Sequence, residues 1–218
     1  SPPAGAAPGW HPGATVAFTL DAGLHAAVDA LAARTGTSLF MVVHAALATV
    51  LTRLGAGTDL PIGTLVAGRG DDALTDLVGC FANTVLLRTD TSGAPGTEEL
   101  LARVRDADLA ALSHADVPFE DVRRDLGLSA PQVLLVHHER AVLSGAVGGA
   151  TMDALPGPRT DAELTVSVYE PQGAADVPCY LEYAADLFDR DTAERFAGDL
   201  LDTLRSMTGA ELPRSALP

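Results

Sequence analysis

The stretch Asp59–Arg88, which reads DLPIGTLVAGRGDDALTDLVGCFANTVLLR, decides the fold. It contains two apolar runs, Leu60–Ala67 and Thr84–Leu87. Such runs are typical of buried strands of the parallel type, and we expect two of them here. Each run adjoins a turn with one notable polar side chain, Arg69 in the first turn and Asn83 in the second. Sites on α/β sheets tend to form at strand ends, so both residues are candidates for a functional site. For Asn83 the alternative is a turn asparagine that bonds its own backbone.

Composition limits the classes of protein to which the chain can belong. Of its 218 residues, 47% are apolar, and the formal net charge is −15, with 14 basic residues that are all arginine. The apolar content predicts a globular fold. Nucleic acids and anionic membranes attract basic surfaces, which an acidic chain does not offer. No apolar run reaches the roughly 20 residues that span a bilayer. We therefore expect a cytoplasmic protein that binds neither nucleic acid nor membrane.

The termini and the cysteines add two further expectations. Residues 1–13 contain four prolines and three glycines, which predicts a linker, and the chain starts at Ser1 without a secretory signal. We expect it to begin inside a longer protein. Cys80 and Cys179 are expected to be free thiols of a cytosolic protein, the alternative being one long-range disulfide.

Hydrophobic spacing predicts helices and strands on both sides of the central stretch. A helix over Thr37–Leu54, with Thr37 or Ser38 as its cap, is apolar on nearly its whole circumference, including Leu54, which predicts burial on all sides. His44 within it is expected to be a core histidine with satisfied hydrogen bonds. Glu163–Glu170 alternates apolar and polar residues, which predicts a strand with one buried face. The other predicted elements are strands at Thr15–Leu20, Gln132–His138 and Cys179–Tyr183, helices after the caps Asp21, Thr97 and Asp189 and from Pro118, a helical piece around Ala73–Val78, and a glycine-rich connector over Ser144–Pro158. The pattern predicts an α/β fold, a mixed sheet with flanking helices.

Several other side chains could carry chemistry. His137 and His138 are adjacent on a predicted strand and should point to opposite faces, one packed and one solvated. Neither has a partner at metal-ligand spacing, and we predict no metal site. Cys80 lies in a turn, where a nucleophile could sit, but no local signature supplies a base. His114 and Asp116 precede a helix, where a cap is more common than a catalytic pair.

Four segments resemble motifs of the condensation domains of nonribosomal peptide synthetases. Ile62–Arg69, IGTLVAGR, is similar to the family's IGTPVAGR, and Val78–Arg88, VGCFANTVLLR, is similar to its VGxFxNTLxLR. His114–Glu120, HADVPFE, resembles HQDxPFE, and Leu181–Asp189, LEYAADLFD, resembles LEYxTDLFD. The four segments occur in the family's order, and the resemblance covers essentially the whole chain.

The resemblance extends to only half of a condensation domain, which has two chloramphenicol-acetyltransferase-like lobes around a tunnel. The family's HHxxxDG motif belongs to the first lobe, and His137-His138 is not that motif because Val142 and Leu143 stand where Asp and Gly are required. The chain therefore resembles the C-terminal lobe over residues 14–208, with 1–13 as the inter-lobe connector and 209–218 as a C-terminal linker. Arg124–Pro131, RDLGLSAP, keeps only fragments of the family's RDxSRNPLF segment. We expect the bridge between the lobes or the tunnel floor to be altered.

The resemblance implies a part in peptide-bond formation, in which an acceptor aminoacyl thioester attacks a donor thioester. Such a reaction needs a positioned amine, proton transfer and a stabilised oxyanion, and the family's histidine belongs to the other lobe. The chain alone is thus expected to be incomplete. The implied tunnel-wall residues are Asn83, Arg69, Phe81, Cys80 and Thr84, and the implied structural motif consists of His114, Asp116, Pro118 and Phe119. The implied partners are the N-terminal lobe, donor and acceptor carrier proteins with their phosphopantetheine arms, and a second copy through the exposed inter-lobe face.

Two other functions are kept as alternatives. The first is a non-catalytic half domain that docks carrier proteins or a partner enzyme. The second is a free-standing thiol hydrolase built on Cys80, which would need a base and an orienting group elsewhere in the chain.

Overall fold

The computed structural model describes residues 11–69, 77–138, 159–160, 162–169 and 175–210. Within them, seven strands form one sheet in the order β3-β2-β4-β6-β7-β1-β5. The strands are β1 (His11–Leu20), β2 (Asp59–Val66), β3 (Asn83–Asp90), β4 (Val133–His138), β5 (Arg159–Thr160), β6 (Leu164–Tyr169) and β7 (Val177–Ala184). The helices are α1 (Ala22–Thr35), α2 (Leu39–Arg53), α3 (Thr97–Leu112), α4 (Phe119–Leu126) and α5 (Arg190–Thr208). The predicted connector Ser144–Pro158 and most of the helical piece Ala73–Val78 lie outside the described residues.

The sheet is mixed, which confirms the predicted α/β class. β2, β4 and β6 run parallel to one another, whereas β7 runs antiparallel to both β6 and β1. The prediction of parallel-type strands in the central stretch is confirmed for β2, which pairs parallel with β4, and is wrong for β3, which pairs antiparallel with β2, with Ile62 opposite Leu87. β3 lies at one edge of the sheet and, among the described strands, pairs with β2 alone. A short apolar run indicates that a strand is buried but not whether it runs parallel or antiparallel to its neighbour. That direction depends on the path of the connecting segment.

Capping side chains set the starts of three helices. Asp21, Ser38 and Asp189 each accept a hydrogen bond from a backbone N–H in the first turn that follows, which satisfies a donor that has no partner within the helix. These caps were readable in the sequence because each short polar residue stands directly before a helical apolar pattern.

Three predicted boundaries differ from the structure. Thr97 is the first residue of α3 rather than its cap, which is Gly96 and makes no side-chain bond. Pro118 occupies the cap position of α4 rather than the first helical position. β1 begins at His11, because pairing with β7 and β5 continues into the last three residues of the predicted connector.

One face of the sheet carries the hydrophobic core. α1, α2, α3 and α5 pack on this face, and the completely buried side chains include Val28, Leu47, Leu101, Leu135 and Leu200. Burial of α2 on nearly all sides is confirmed except at Leu54, which is 62% exposed because it follows the last helical residue. Among the described residues, no single helix is long and apolar enough to cross a membrane. Only α1 and α2 taken together reach that composition, and they are bent by 100°.

β6 is buried on both faces, which corrects the prediction of one exposed face. Leu164, Val166 and Val168 face the core, and Thr165 and Ser167 on the opposite face are also buried. These two small side chains lie between the larger side chains of β4 and β7, which flank β6 in the sheet. Alternation alone could not show this, because the cover comes from neighbouring strands.

A polar network crosses the core. His44 on α2 and Asp108 on α3 are fully buried, and His44 Nδ1 lies 3.0 Å from Asp108 Oδ1 and 3.1 Å from Oδ2. Only Oδ2 has hydrogen-bond geometry, so Oδ1 lacks a hydrogen bond among the described residues. His44 Nε2 lies 2.8 Å from the hydroxyl of Thr89 on β3. Both ring nitrogens have partners, which confirms His44 as a satisfied core histidine.

We expect Asp108→Ala to lower the free energy of unfolding by about 3–5 kcal/mol, because it leaves His44 buried without its partner. The double variant His44→Leu with Asp108→Leu should cost much less, since only the Thr89 hydroxyl then loses a partner. Chemical denaturation measures both effects. The control is Asp106→Ala, an exposed position on the same helix, with an expected change within about 0.5 kcal/mol. Equal losses for Asp106→Ala and Asp108→Ala would contradict this role.

Candidate functional site

A groove opens at the edge of the sheet where the parallel strands β2 and β4 end. Its volume is about 510 Å³, and its lining is mostly apolar: Phe40, Thr64, Leu65, Val66, Ala67, Ala82, Leu112, Val136, His137 and His138. Ligands of α/β sheets tend to bind outside the carboxyl ends of the strands. Five lining residues belong to Asp59–Arg88, so this groove and the turns beside it form the candidate site: Thr64, Leu65, Val66, Ala67 and Ala82.

The Asn83 side chain joins the start of β3 to the segment before α4. Its Nδ2 donates to the carbonyl oxygens of Ala115 at 2.9 Å and Val117 at 2.7 Å. Its Oδ1 accepts from the Phe119 N–H at 3.0 Å. The alternative of a bond to its own backbone is therefore wrong. Because these bonds occupy both ends of the amide, Asn83 shapes the site by holding the segment that contains HADVPFE.

Arg69 folds back onto the segment that leads into β3. Its Nη1 donates to the Leu77 carbonyl at 3.0 Å and its Nη2 to the Gly79 carbonyl at 2.9 Å. The guanidinium carbon also lies 4.6 Å from the centroid of the Phe81 ring, a cation–π contact. A planar, forked donor suits this combination of two carbonyls and one ring, and a lysine could not reproduce it. Arg69 thus fixes the course of the backbone beside the groove.

Gly68 is required by the close approach of Phe81. Gly68 has φ +65°, and a Cβ at this position would lie 1.9 Å from the Phe81 carbonyl oxygen. Any side chain would therefore displace Phe81, in addition to the strain of a left-handed backbone. The turn after β2 and the turn before β3 are packed backbone to backbone, and this contact explains the glycine of the Gly-Arg-Gly segment.

The remaining predicted site residues do not form a single cluster of interacting side chains. Thr84 is partly buried and lies opposite Leu65 in the β2–β3 pair. His114 and Asp116 are both exposed, and neither makes a side-chain hydrogen bond among the described residues. The expected cap is therefore wrong here, since the segment before α4 is held by Asn83 instead. Phe119, the last residue of the predicted structural motif, is buried.

Both cysteines are free, which confirms the simpler of the two expectations. Cys179 is buried, and burial raises the pKa of its thiol to about 12. Cys80 is exposed beside the groove and makes no side-chain hydrogen bond within the described part of the chain. A cysteine hydrolase needs a base in hydrogen-bond reach of the thiol, and no described residue supplies one.

His137 and His138 lie on opposite faces of β4, one exposed and one partly buried, as predicted. His137 follows the core-facing Leu135 and lines the groove. His138 stacks on Tyr169, with ring centroids 4.3 Å apart and planes inclined by 14°. Burial, and then the charge of His137, lower the pKa of His138, so its imidazole is neutral at pH 7. Within the described ranges, no three potential metal ligands come together.

A second cavity lies at the opposite edge of the sheet. It has a volume of about 460 Å³ and is lined by side chains that include Leu51, Leu54, Val133, Phe188 and Phe196. None of the candidate site residues lines it, so its size alone does not make it the functional site.

Parts of the site could not be found from the sequence. Phe40 and Leu112 line the groove, yet in the sequence they look like ordinary apolar residues of two helices. The partners of Asn83 on Ala115 and Val117 are backbone carbonyls, which have no residue signature. Asp108 had a weak signal, since a charged residue stands four positions after the buried Val104 on the apolar side of α3.

We expect Asn83→Asp to lower the free energy of unfolding by about 2–4 kcal/mol. The carboxylate has the same shape but cannot donate to the carbonyls of Ala115 and Val117, which it would repel. Chemical denaturation gives the loss, and hydrogen exchange of the Phe119 amide shows whether it arises at this contact. Asp116→Asn, an exposed change of one charge in the same segment, is the control. Unchanged protection of the Phe119 amide in Asn83→Asp would contradict the assignment.

A pair of glycine substitutions separates steric contact from backbone strain. Gly127 has φ +64°, nearly that of Gly68, but no atom lies within 4 Å of its would-be Cβ. We expect Gly127→Ala to lower the free energy of unfolding by about 1–2 kcal/mol through left-handed strain alone. Gly68→Ala should cost at least roughly twice as much, because the Phe81 carbonyl must also move. Denaturant titration of both variants tests this, and equal losses would show that the contact with Phe81 is easily relieved.

Comparison with known proteins identifies the family. The condensation-domain family model matches residues 11–211. The chain is 46% identical over 202 residues to the "Probable non-canonical nonribosomal peptide synthetase (NRPS) CymA" of Salinispora arenicola (strain CNS-205), covering 87% of this chain and 3% of that protein. It is 39% identical over 219 residues to the "Dimodular nonribosomal peptide synthase" of Bacillus subtilis (strain 168), covering 90% of this chain and 9% of that protein.

Solved structures agree with this assignment and show what fraction of a complete domain this chain covers. The X-domain from teicoplanin biosynthesis is similar with a TM-score of 0.80 and 34% identity, over 90% of this chain and 47% of that one. The condensation domain of the monacolin K polyketide synthase MokA has a TM-score of 0.81 at 19% identity, also over 90% and 47%, which shows the fold alone. The chain thus spans about half of these domains and confirms the chloramphenicol-acetyltransferase-like fold class. A match over residues 11–211, together with these relatives, shows that the chain belongs to the condensation-domain family of nonribosomal peptide synthetases.

Proposed function

We propose that the chain is the C-terminal lobe of a condensation domain and forms one wall of its tunnel. The observation that carries this proposal is the combination of a family match over residues 11–211 with coverage of only 47% of the solved X-domain. The missing half would carry HHxxxDG, which this chain lacks. The acceptor amine would attack the donor thioester at a centre that the other lobe completes, so the chain alone would be inactive.

The described residues would contribute position rather than proton transfer. Arg69 and Asn83 spend their donors on backbone carbonyls, so they would act by holding the turns that form the wall. Phe81, Cys80 and Thr84 lie on the segment that those two side chains fix, and would present its surface to the tunnel. Correct placement of two reactants supplies a large share of the rate in reactions of this kind.

Donor and acceptor carrier proteins would be the partners, and their phosphopantetheine arms would enter as parts of the substrates. Such an arm is a flexible alkyl chain interrupted by amides. The groove suits this chemistry because its lining is apolar apart from Thr64 and the two imidazoles of β4. Carrier proteins and the synthetases to which they belong would place the chain in the cytoplasm.

The test compares this chain with the complete condensation domain of its parent reading frame. Each is incubated with aminoacyl-loaded donor and acceptor carrier proteins, and the condensed product is measured by mass spectrometry of the acceptor carrier. We expect product from the complete domain and none from this chain. In the complete domain, Asn83→Asp should react at least tenfold more slowly than the control Asp116→Asn. Product from this chain alone would contradict the incompleteness, and no product from the complete domain would contradict the catalytic role.

A non-catalytic docking module is the second candidate. It is favoured by the X-domain from teicoplanin biosynthesis, which has been solved in complex with OxyB and is 34% identical to this chain with a TM-score of 0.79. In this role the same lobe would present its surface to a partner protein. Binding without condensation by the complete domain would support it.

The face beside Arg69 and Asn83 exposes Leu65, Leu77, Val78 and Val117, and an apolar patch of this kind drives association. In the absence of the other lobe we expect a second copy to cover it, so that the chain sediments as a dimer. Leu77→Asp with Val78→Asp should shift the chain to a monomer in sedimentation velocity. Leu54→Asp, which places a charge on an exposed leucine at the opposite edge, is the control. A monomeric wild-type chain would contradict this expectation.

A further inference from the structure

Glu182 belongs to the LEYAADLFD segment. It lies on β7, where Leu181 and Tyr183 on either side of it face the core. Glu182 therefore points to the sheet face opposite the core. Its direct neighbours there are Thr15 on β1 and Thr165 on β6, which stand opposite it in the registers of the two adjacent strand pairs. Thr15, Glu182 and Thr165 thus form a row across three neighbouring strands.

The row contains one carboxylate and two hydroxyl groups that have no hydrogen-bond partner among the described residues. Neither the Glu182 carboxylate nor the hydroxyls of Thr15 and Thr165 make a side-chain hydrogen bond or ion pair within the described part of the chain. Glu182 and Thr15 are partly buried and Thr165 is buried. Burial raises the pKa of Glu182, because its charge has lost water without gaining a cation. A carboxylate in this position costs free energy that a bound cation would recover.

Two tyrosines complete the surroundings of the row. Tyr180 lies two residues from Glu182 on the same face of β7, and its ring meets that of Tyr169 edge to face, with centroids 5.4 Å apart. Tyr169 stands four positions after Thr165 on β6 and therefore on the same sheet face, and the charge of Glu182 adds to burial in raising the pKa of Tyr169. His138 stacks on the far side of Tyr169 and is neutral, so it adds no competing positive charge. Aromatic faces next to a carboxylate favour an organic cation.

We propose that Thr15, Glu182 and Thr165, with Tyr169 and Tyr180 beside them, bind the ammonium group of a small amine ligand. An ammonium carries three N–H donors, and the row offers a carboxylate flanked by two hydroxyl oxygens as acceptors. A charge-assisted bond to Glu182 would supply most of the affinity, and the tyrosine rings would contact the adjacent carbon chain. The identity of the ligand rests on the proposed function, in which it is the amine of the acceptor substrate.

The site is tested on the chain itself by a nuclear magnetic resonance titration with L-alaninamide, which carries the ammonium, and N-acetyl-L-alaninamide, which does not. We expect shifts of the Thr165 amide and of the Tyr169 and Tyr180 rings, with a Kd at least tenfold lower for the charged probe. Glu182→Gln, which keeps the shape and removes the charge, should raise that Kd at least tenfold. Glu163→Gln is the matched control, since Glu163 directly precedes β6 and bonds to Gln132 outside the row, and it should leave the Kd unchanged.

Equal binding of the two probes, no binding of either, or an unchanged Kd in Glu182→Gln would overturn the proposal. The wild-type and variant amide spectra show whether each protein is folded, so a loss of binding cannot be confused with unfolding. The readout needs no condensation reaction. Failure of the proposed function would appear in the carrier-protein assay with amine binding intact, whereas failure of this site would appear in the titration.

Discussion

The contact of His44 with Asp108 and Thr89 is the constraint on which the arrangement of the fold depends. It joins α2, α3 and the edge strand β3 through side chains that are excluded from water. A buried polar group without a hydrogen-bond partner destabilises the fold. The three elements must therefore be placed so that the His44 ring can bond to both of the other side chains. Among the described strands β3 pairs with β2 alone, and the Thr89 hydroxyl gives it a further contact through His44. Thr89 secures the end of this strand, and Asn83 at its beginning then secures the segment before α4.

The candidate site follows from this arrangement and consists largely of backbone held by side chains. Arg69 binds two carbonyls and a ring, Asn83 binds three backbone groups, and Gly68 lets the Phe81 carbonyl approach. These residues stand in the most recognisable motifs of the chain, yet the side-chain donors of Arg69 and Asn83 bond to backbone carbonyls. In the proposed function these residues would define the shape of the tunnel wall. The unused polar groups lie instead on the other face of the sheet, around Glu182, where a carboxylate and two hydroxyls have no described partners.

Sequence reasoning was most accurate where a local physical rule applies. Asp21, Ser38 and Asp189 begin helices because a short polar side chain satisfies the first free N–H groups. The burial of α2 follows from its apolar circumference. The side chains of His137 and His138 lie on opposite faces of the sheet because neighbouring residues of a strand alternate. Errors arose where a rule needed information from elsewhere in the chain. The direction of β3, the burial of Thr165 and Ser167 and the lack of a cap from His114 or Asp116 all depend on distant neighbours.

The sequence by itself determined the α/β class, most of the helices and the family, because periodicity, capping and motif order are carried by residues close together in the chain. Only the tertiary structure decided what the motif residues bind. Asn83 contacts backbone groups 32 to 36 positions away, His44 meets an aspartate 64 positions away, and Glu182 stands between threonines of two other strands. Such contacts are set by how the strands are ordered and by which face each helix buries, and no short stretch of sequence contains that information.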